Sequence, residues 1–200
     1  FDVVIQLGAI MAVVVLYFHK LNPFSPRKSE RQKLLTWQMW IKVAIASVPA
    51  AIVGLLFNDY LDAIFYKPVP VAIMLIVYGV LFIIIEDKHR GKRPKVTRIS
   101  QLTLKMLLWI GVFQMLALIP GTSRSGATIV GALLIGVSRE TAAEFTFFLA
   151  IPVMFGASLL KLLKFGLAFS AAEFGFLMLG CIVSFGVSIF AIKFLMGYIK

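Results

Sequence analysis

Residues 120–128 read Pro-Gly-Thr-Ser-Arg-Ser-Gly-Ala-Thr, and they hold the side chains best suited to chemistry. Ser123, Ser125 and Thr128 carry hydroxyls, and Arg124 is a planar cation with its N–H donors in a fixed fork. Gly121 and Gly126 let the backbone come close to a ligand. Convergent donors of this kind suit the non-bridging oxygens of a phosphomonoester or a diphosphate. Arg124 can grip two such oxygens at once and keeps its charge at any working pH. A helix beginning near Ser125 puts Thr128 on its first turn, where the dipole and the outward-pointing amides also favour an anion.

The elements that must position these residues are apolar. One apolar run ends at Ile119 and another starts at Ala127, while Pro120, Gly121 and Gly126 interrupt any helix between them. A guanidinium at membrane depth is costly, so it is expected to face a watery or protein-lined cavity and to serve a function. The plainer alternative is a polar turn whose Arg124 reaches an interface and touches lipid phosphates without specificity. Twin serines, a threonine and flanking glycines are more than that reading needs.

The rest of the 200 residues agrees with a membrane setting. The chain is 60% hydrophobic with a mean hydropathy of +0.96, too apolar for a soluble domain. Its charge falls in short blocks between long apolar runs, the pattern of an all-α polytopic helical membrane protein. The net charge of +11 reads as cytoplasmic loops enriched in Lys and Arg rather than as a nucleic-acid surface. Cys181 stands alone in an apolar run, which excludes an intramolecular disulfide or a cysteine metal cluster and points to a small packing residue. Phe1 lies already inside an apolar run and Lys200 just after another, so the 200 residues read as a single transmembrane domain cut from a longer chain.

The expected spans are 1–18, 37–57, 69–85, 107–119 with a re-entrant piece 120–137, then 140–163 and 171–198. His19 to Lys33 and Asn58 to Pro68 read as loops. Trp37 and Trp40 form an interfacial belt, and Pro49 predicts a kink. Two abutting half-length segments broken by Pro and Gly mark a re-entrant or discontinuous helix, with one kinked helix as the alternative. Gly175, Gly180, Ser184, Gly186 and Ser188 suit close helix contacts in the last span. The basic blocks are Lys20, Arg27, Lys28, Arg31 and Lys33, then Lys88, Arg90, Lys92, Arg93, Lys95, Arg98 and Lys105. They share the cytoplasmic side if the second and third spans form a hairpin. Lys161 and Lys164 fall on that side too, and the arginine loop then opens outward.

Other polar residues rank lower. Glu144, near Thr141 and Thr146, could carry a proton or ligate a divalent ion, or could be an interfacial carboxylate near a helix start. Gln114 and Gln6 could bind substrate or hydrogen-bond across helices. His19 and His89 sit in basic loops and read as solvated. No metal-ligand spacing, Walker loop or G-x-S-x-G elbow occurs. No histidine lies near the loop to take a phosphoryl group.

Pro120 to Thr128 resembles the PGxSRSxxT signature of the undecaprenyl-diphosphate phosphatase family, the bacitracin-resistance proteins. The flanks are similar as well: Phe1-Asp2-Val3-Val4-Ile5-Gln6-Leu7-Gly8, Gly136-Val137-Ser138-Arg139, and Ala143-Glu144-Phe145 leading to Ala150-Ile151-Pro152. The resemblance implies a multi-pass enzyme of the bacterial plasma membrane with an inverted-repeat fold, two re-entrant regions and an outward-facing site. It implies removal of the terminal phosphate of a polyprenyl diphosphate, with Ser123, Arg124 and Thr128 as the catalytic, phosphate-handling residues and the monophosphate returned to cell-wall synthesis. Gly121, Ser125 and Gly126 would bind substrate beside them. The family's acidic E-x-x-x-E stretch and its Ser-Ser-Thr-Gly-His turn are not in these residues, and neither is its last span. The piece alone is therefore expected to be inactive. A divalent cation, magnesium or calcium, is implied through carboxylates of that stretch, so no metal residue or other cofactor is assigned to this chain. The expected partners are the lipid and the membrane, without nucleic acid; a homo-oligomer stays open. The alternative function is a polyprenyl-phosphate transporter or flippase built on the same anion-binding broken helix.

Overall fold

The computed structural model describes residues 2–65, 67–89, 93–165 and 171–199, and eight α-helices run through them. They are α1 (Asp2–Leu16), α2 (Phe18–Leu21), α3 (Glu30–Phe65), α4 (Pro68–His89), α5 (Leu104–Leu116), α6 (Arg124–Leu134), α7 (Arg139–Phe165) and α8 (Ala171–Ile199). Among the described residues no strand forms, and the one β-type pairing is an isolated parallel bridge between Val96 and Val137. Four helices hold segments long and apolar enough to cross a membrane: Glu30–Phe57, Pro68–Ile85, Arg139–Leu160 and Glu173–Tyr198. The chain is an all-α, multi-pass membrane protein. The side chains of Asp2, Asp59, Asp62, Glu86, His89, Arg90, Lys92, Lys161 and Lys164 lie outside the described set.

Several expected boundaries shift. His19 is helical within α2, and α3 opens at Glu30, inside the expected first basic loop. Helix α3 then continues through 58–65, where Asn58, Asp59 and Asp62 had suggested a loop. Its hydrogen-bonded ladder needs only helical backbone, and polar side chains at a helix end do not prevent it. Pro49 is accommodated within α3 rather than ending it. Pro68 stands at the first position of α4, where its missing amide proton costs nothing.

The chain folds as two compact units, Phe1–Trp37 with Ala150–Lys200, and Gln38–Leu149. In the first, α1 packs along α8. A side chain at Gly8 would collide with the carbonyl of Cys181, and one at Gly180 would lie 2.8 Å from Cδ1 of Ile5. Cys181 is a packing residue here, its thiol donating to the Val4 carbonyl at 3.6 Å. Gly175 and Gly186, expected at close helix contacts, face open space within the described structure. The loop before α3 is gathered by Lys28, whose ammonium donates to the carbonyls of Lys20 and Asn22 and to Thr36 Oγ1 at 3.2, 2.8 and 2.9 Å.

In the second unit, α5 and α6 form an antiparallel helical hairpin. Gly131 lets them approach, since a side chain there would meet the Phe113 ring at 2.6 Å. Ile85 of α4 joins Val130 and Leu133 of α6 in a buried cluster, with Phe82, Phe113 and Ile129 packed against it. Helix α3 runs beside α5: Gly111 abuts the Ala46 carbonyl and Pro49, and Leu118 reaches Gly54. Both feet of the hairpin stand at one end. Lys42 of α3 donates to the carbonyls of Ile99 and Ser100, just before α5, at 3.0 and 2.6 Å. Val96 pairs with Val137, just after α6, and the Ser138 amide donates to the Val96 carbonyl at 2.8 Å. With 13 residues in α5 and 11 in α6, the arms are about 20 and 16 Å long. Each is shorter than the roughly 30 Å apolar core of a bilayer.

Candidate functional site

The tip of this hairpin carries the phosphate-binding candidates. Ile119-Pro120-Gly121-Thr122 closes as a β-turn, the Thr122 amide donating to the Ile119 carbonyl at 3.1 Å. Proline second and glycine third, with Gly121 at φ +93°, is the composition of a type II turn, whose third residue must adopt positive φ. The turn reverses the chain into Ser123, which caps α6. The Ser123 hydroxyl oxygen accepts from the Gly126 amide at 3.2 Å, and its carbonyl accepts from Ala127 at 2.8 Å. Arg124 and Ser125 are the first residues of the helix, so their amides point out of it rather than into its ladder.

Ser123 and Ser125 are exposed, with their hydroxyl oxygens 3.4 Å apart, and Arg124 is half-buried. These three residues share one turn, and its first backbone amides and exposed serine hydroxyls lie at the surface of the tip. The capping bond uses a lone pair of Ser123, leaving its proton free to donate to an anion. No acidic residue lies in the first turn of α6 to compete.

Thr128 belongs to the same turn but is only 1% exposed. Its hydroxyl lies 3.0 Å from the Arg124 carbonyl and 3.0 Å from the Ser125 carbonyl, to which it donates. It accepts a hydrogen bond from Thr146 of α7 at 3.1 Å. The sequence pointed to Thr128 as a donor to phosphate; here its single proton is directed at the protein. The residue that sequence reading passed over is Thr146. A threonine on an apolar helix carries no local signal that it completes a bond to a residue 18 positions earlier.

The glycines also acquire a second reason. A side chain at Gly121 would stand 2.6 Å from the Val71 carbonyl of α4, and one at Gly126 would run into the Phe82 ring. The space they free is filled by α4, so their first service is to let α4 pack against the tip. Gln114 lies on α5, 2% exposed, and both polar atoms of its amide lack a hydrogen-bond partner in the described structure. Gly111, one turn earlier on α5, meets α3, which places Gln114 toward α3 rather than among the tip hydroxyls. The Thr122 hydroxyl oxygen is likewise buried without a partner. Glu144 is half-buried on α7. Gln6 is exposed on α1, which belongs to the other unit.

A divalent cation needs several oxygen ligands. Among the described residues no three His, Cys, Asp or Glu side chains come together to hold one. The described residues do not build a cation site by themselves, and no chemical step is routed through one.

Comparison with known proteins follows the whole length. Residues 1–200 match the family described as bacitracin resistance protein BacA. The chain is similar to proteins named undecaprenyl-diphosphatase: 61% identical over 203 residues to that of Enterococcus faecalis, 63% over 200 to that of Acetivibrio thermocellus, and 60% over 210 to that of Lactococcus lactis. Each alignment covers all of this chain and 74% of the relative.

Proposed function

The chain belongs to the bacitracin resistance protein BacA family, and from that premise we propose that it hydrolyses the terminal phosphate of undecaprenyl diphosphate in the bacterial plasma membrane. The product is the monophosphate carrier, available again for cell-wall synthesis. The observation that carries this reading is the placement of Ser123, Arg124 and Ser125 together on the N-terminal turn of a helix that starts at the tip of an apolar hairpin.

The diphosphate head presents charged oxygens to this turn. Arg124 grips two of them, the Ser123 hydroxyl donates to a third, and the outward amides of the first helical residues add fixed dipoles. As the phosphoanhydride bond breaks, charge grows on the transferring group and the bridging oxygen. Donors already in place stabilise that charge without reorganising, which accounts for most of the catalysis in phosphoryl transfer. The attacking group is a serine hydroxyl or an activated water.

Depth supports an outward-facing site. The feet of the hairpin lie beside Lys42, Lys95 and Arg98, at the basic and therefore cytoplasmic end. Arms of about 16–20 Å then carry the tip past the midplane of the bilayer, and the hairpin is re-entrant. The test is phosphate release by the purified full-length protein in detergent, supplied with undecaprenyl diphosphate. One phosphate per lipid is expected. A transporter needs two compartments and would release none, so absence of phosphate with intact lipid binding would overturn the enzyme reading.

A further inference from the structure

We infer that Thr146 of α7 is a positioning residue for this reaction, acting through Thr128 on the turn that holds the phosphate. The inference rests on the phosphatase reading and adds to it a residue that touches no substrate.

Thr128 and Thr146 are 1% and 5% exposed. Both hydroxyls are shut away from solvent, beside residues as apolar as Phe145, Phe148 and Leu149. A hydroxyl has one proton. That of Thr128 is shared between the carbonyls of Arg124 and Ser125, each at 3.0 Å, while the proton of Thr146 is spent on the Thr128 oxygen at 3.1 Å. The Thr146 bond occupies a Thr128 lone pair and so sets the rotation of that hydroxyl. With Thr146 donating, Thr128 has its proton left for the two carbonyls and nothing else.

The consequence passes through the peptide planes. A peptide unit is rigid, so fixing a carbonyl fixes the amide across the same bond. The plane that carries the Arg124 carbonyl also carries the Ser125 amide. The plane that carries the Ser125 carbonyl also carries the Gly126 amide, and that amide holds the Ser123 hydroxyl at 3.2 Å. A threonine that bonds back to the preceding turn also tilts those carbonyls and bends the helix there. Thr146 thus governs the aim of one outward amide and of the Ser123 hydroxyl, from a separate helix and through a single hydrogen bond.

The experiment is a double-mutant cycle in the full-length protein, read by phosphate release and by thermal unfolding in detergent. Valine keeps the shape of threonine and removes only the hydroxyl. Thr146→Val is expected to lower kcat about tenfold with KM nearly unchanged, because misaimed donors lose transition-state stabilisation more than ground-state binding. Thr146→Ser is expected to recover activity to within about twofold, since serine restores the donor. Thr128→Val with Thr146→Val together should cost no more than Thr128→Val alone, the non-additivity expected of two residues in one relay. Activity of Thr146→Val close to the parent, failure of serine to rescue, or additive losses would each overturn the inference. Thr146→Ala carries the same test if the valine variant does not accumulate. A parent protein that releases no phosphate would sink the functional reading instead. The cycle in unfolding temperature would then still decide the relay, with coupling supporting it and simple additivity ending it.

Discussion

Gly121-Thr122-Ser123-Arg124 and Gly136-Val137-Ser138-Arg139 are the same local arrangement, met once at each end of α6. Each begins with a glycine at positive φ, +93° and +85°. Each continues to a serine whose hydroxyl oxygen accepts from the amide three residues on, at 3.2 Å for Ser123 and 3.3 Å for Ser138. Each places an arginine at the first helical position. Their surroundings differ. At the base, Gly136 and Val137 close α6 in a Schellman motif, their amides donating to Leu133 and Ala132 at 2.9 and 3.1 Å. The Ser138 proton is taken by Thr141 at 2.9 Å, Arg139 is exposed, and Glu140 follows it. At the tip, the Ser123 and Ser125 hydroxyls lie 3.4 Å apart, and no acid follows Arg124. One turn is closed by the protein itself; at the other the serine hydroxyls stay exposed, and the proposed function gives them a ligand. A short motif builds the bend, and its neighbours decide whether the bend becomes a site.

The strongest way to break this comparison is at the glycines. Alanine at either position incurs about 1–2 kcal/mol of left-handed strain. At Gly121 it also meets the Val71 carbonyl at 2.6 Å, whereas at Gly136 it meets only the flexible Lys95 chain at 3.2 Å. Overpacking adds about 1–3 kcal/mol. Gly121→Ala is therefore expected to leave little folded protein after detergent extraction, while Gly136→Ala accumulates and unfolds a few degrees lower, at about 2–4 °C per kcal/mol. Equal yields would remove the distinction.

The arginines come next. Arg124→Lys should insert normally and lose about 100-fold or more in kcat/KM, since lysine cannot make the bidentate clamp. Arg139→Lys should stay within about twofold, a surface change of little energetic weight. Phosphate release by equal amounts of extracted protein measures both, and a lysine tolerated at 124 would end the clamp.

The serines sharpen the comparison at the smallest scale. Ser123→Ala and Ser138→Ala should each forfeit a cap worth about 1 kcal/mol, giving similar shifts in thermal unfolding. Only Ser123→Ala should lose phosphate release beyond its share of unfolding. Matching activities in the two variants would show the tip serine to be a cap and nothing more.

Much of this was legible in the residues. Pro120, Gly121 and the hydroxyls announced a break, because their backbone preferences act within a few positions. Arg124 between apolar runs pointed to the site proposed here, because burying charge needs a reason. The length of α3 was hidden by Asn58, Asp59 and Asp62, whose polarity resembles a loop although the backbone stays helical. The packing duty of Gly121 and Gly126 was hidden for another reason: their partners, Val71 and Phe82, lie 50 and 44 residues earlier. Thr146 was hidden in the same way. Gly175 and Gly186 erred in the opposite direction, small residues with nothing beside them in the described structure.

Anchorage of α6 at its base makes the helix a ruler. Counting back 11 residues from that fixed foot sets both the height and the compass bearing of the guanidinium. One inserted alanine would swing Arg124 by about 100° and raise it about 1.5 Å, off its target. Four inserted residues would nearly restore the bearing, yet carry the charge about 6 Å farther from the base of the hairpin. The length of this one short helix is thus as much a part of the site as the groups it carries.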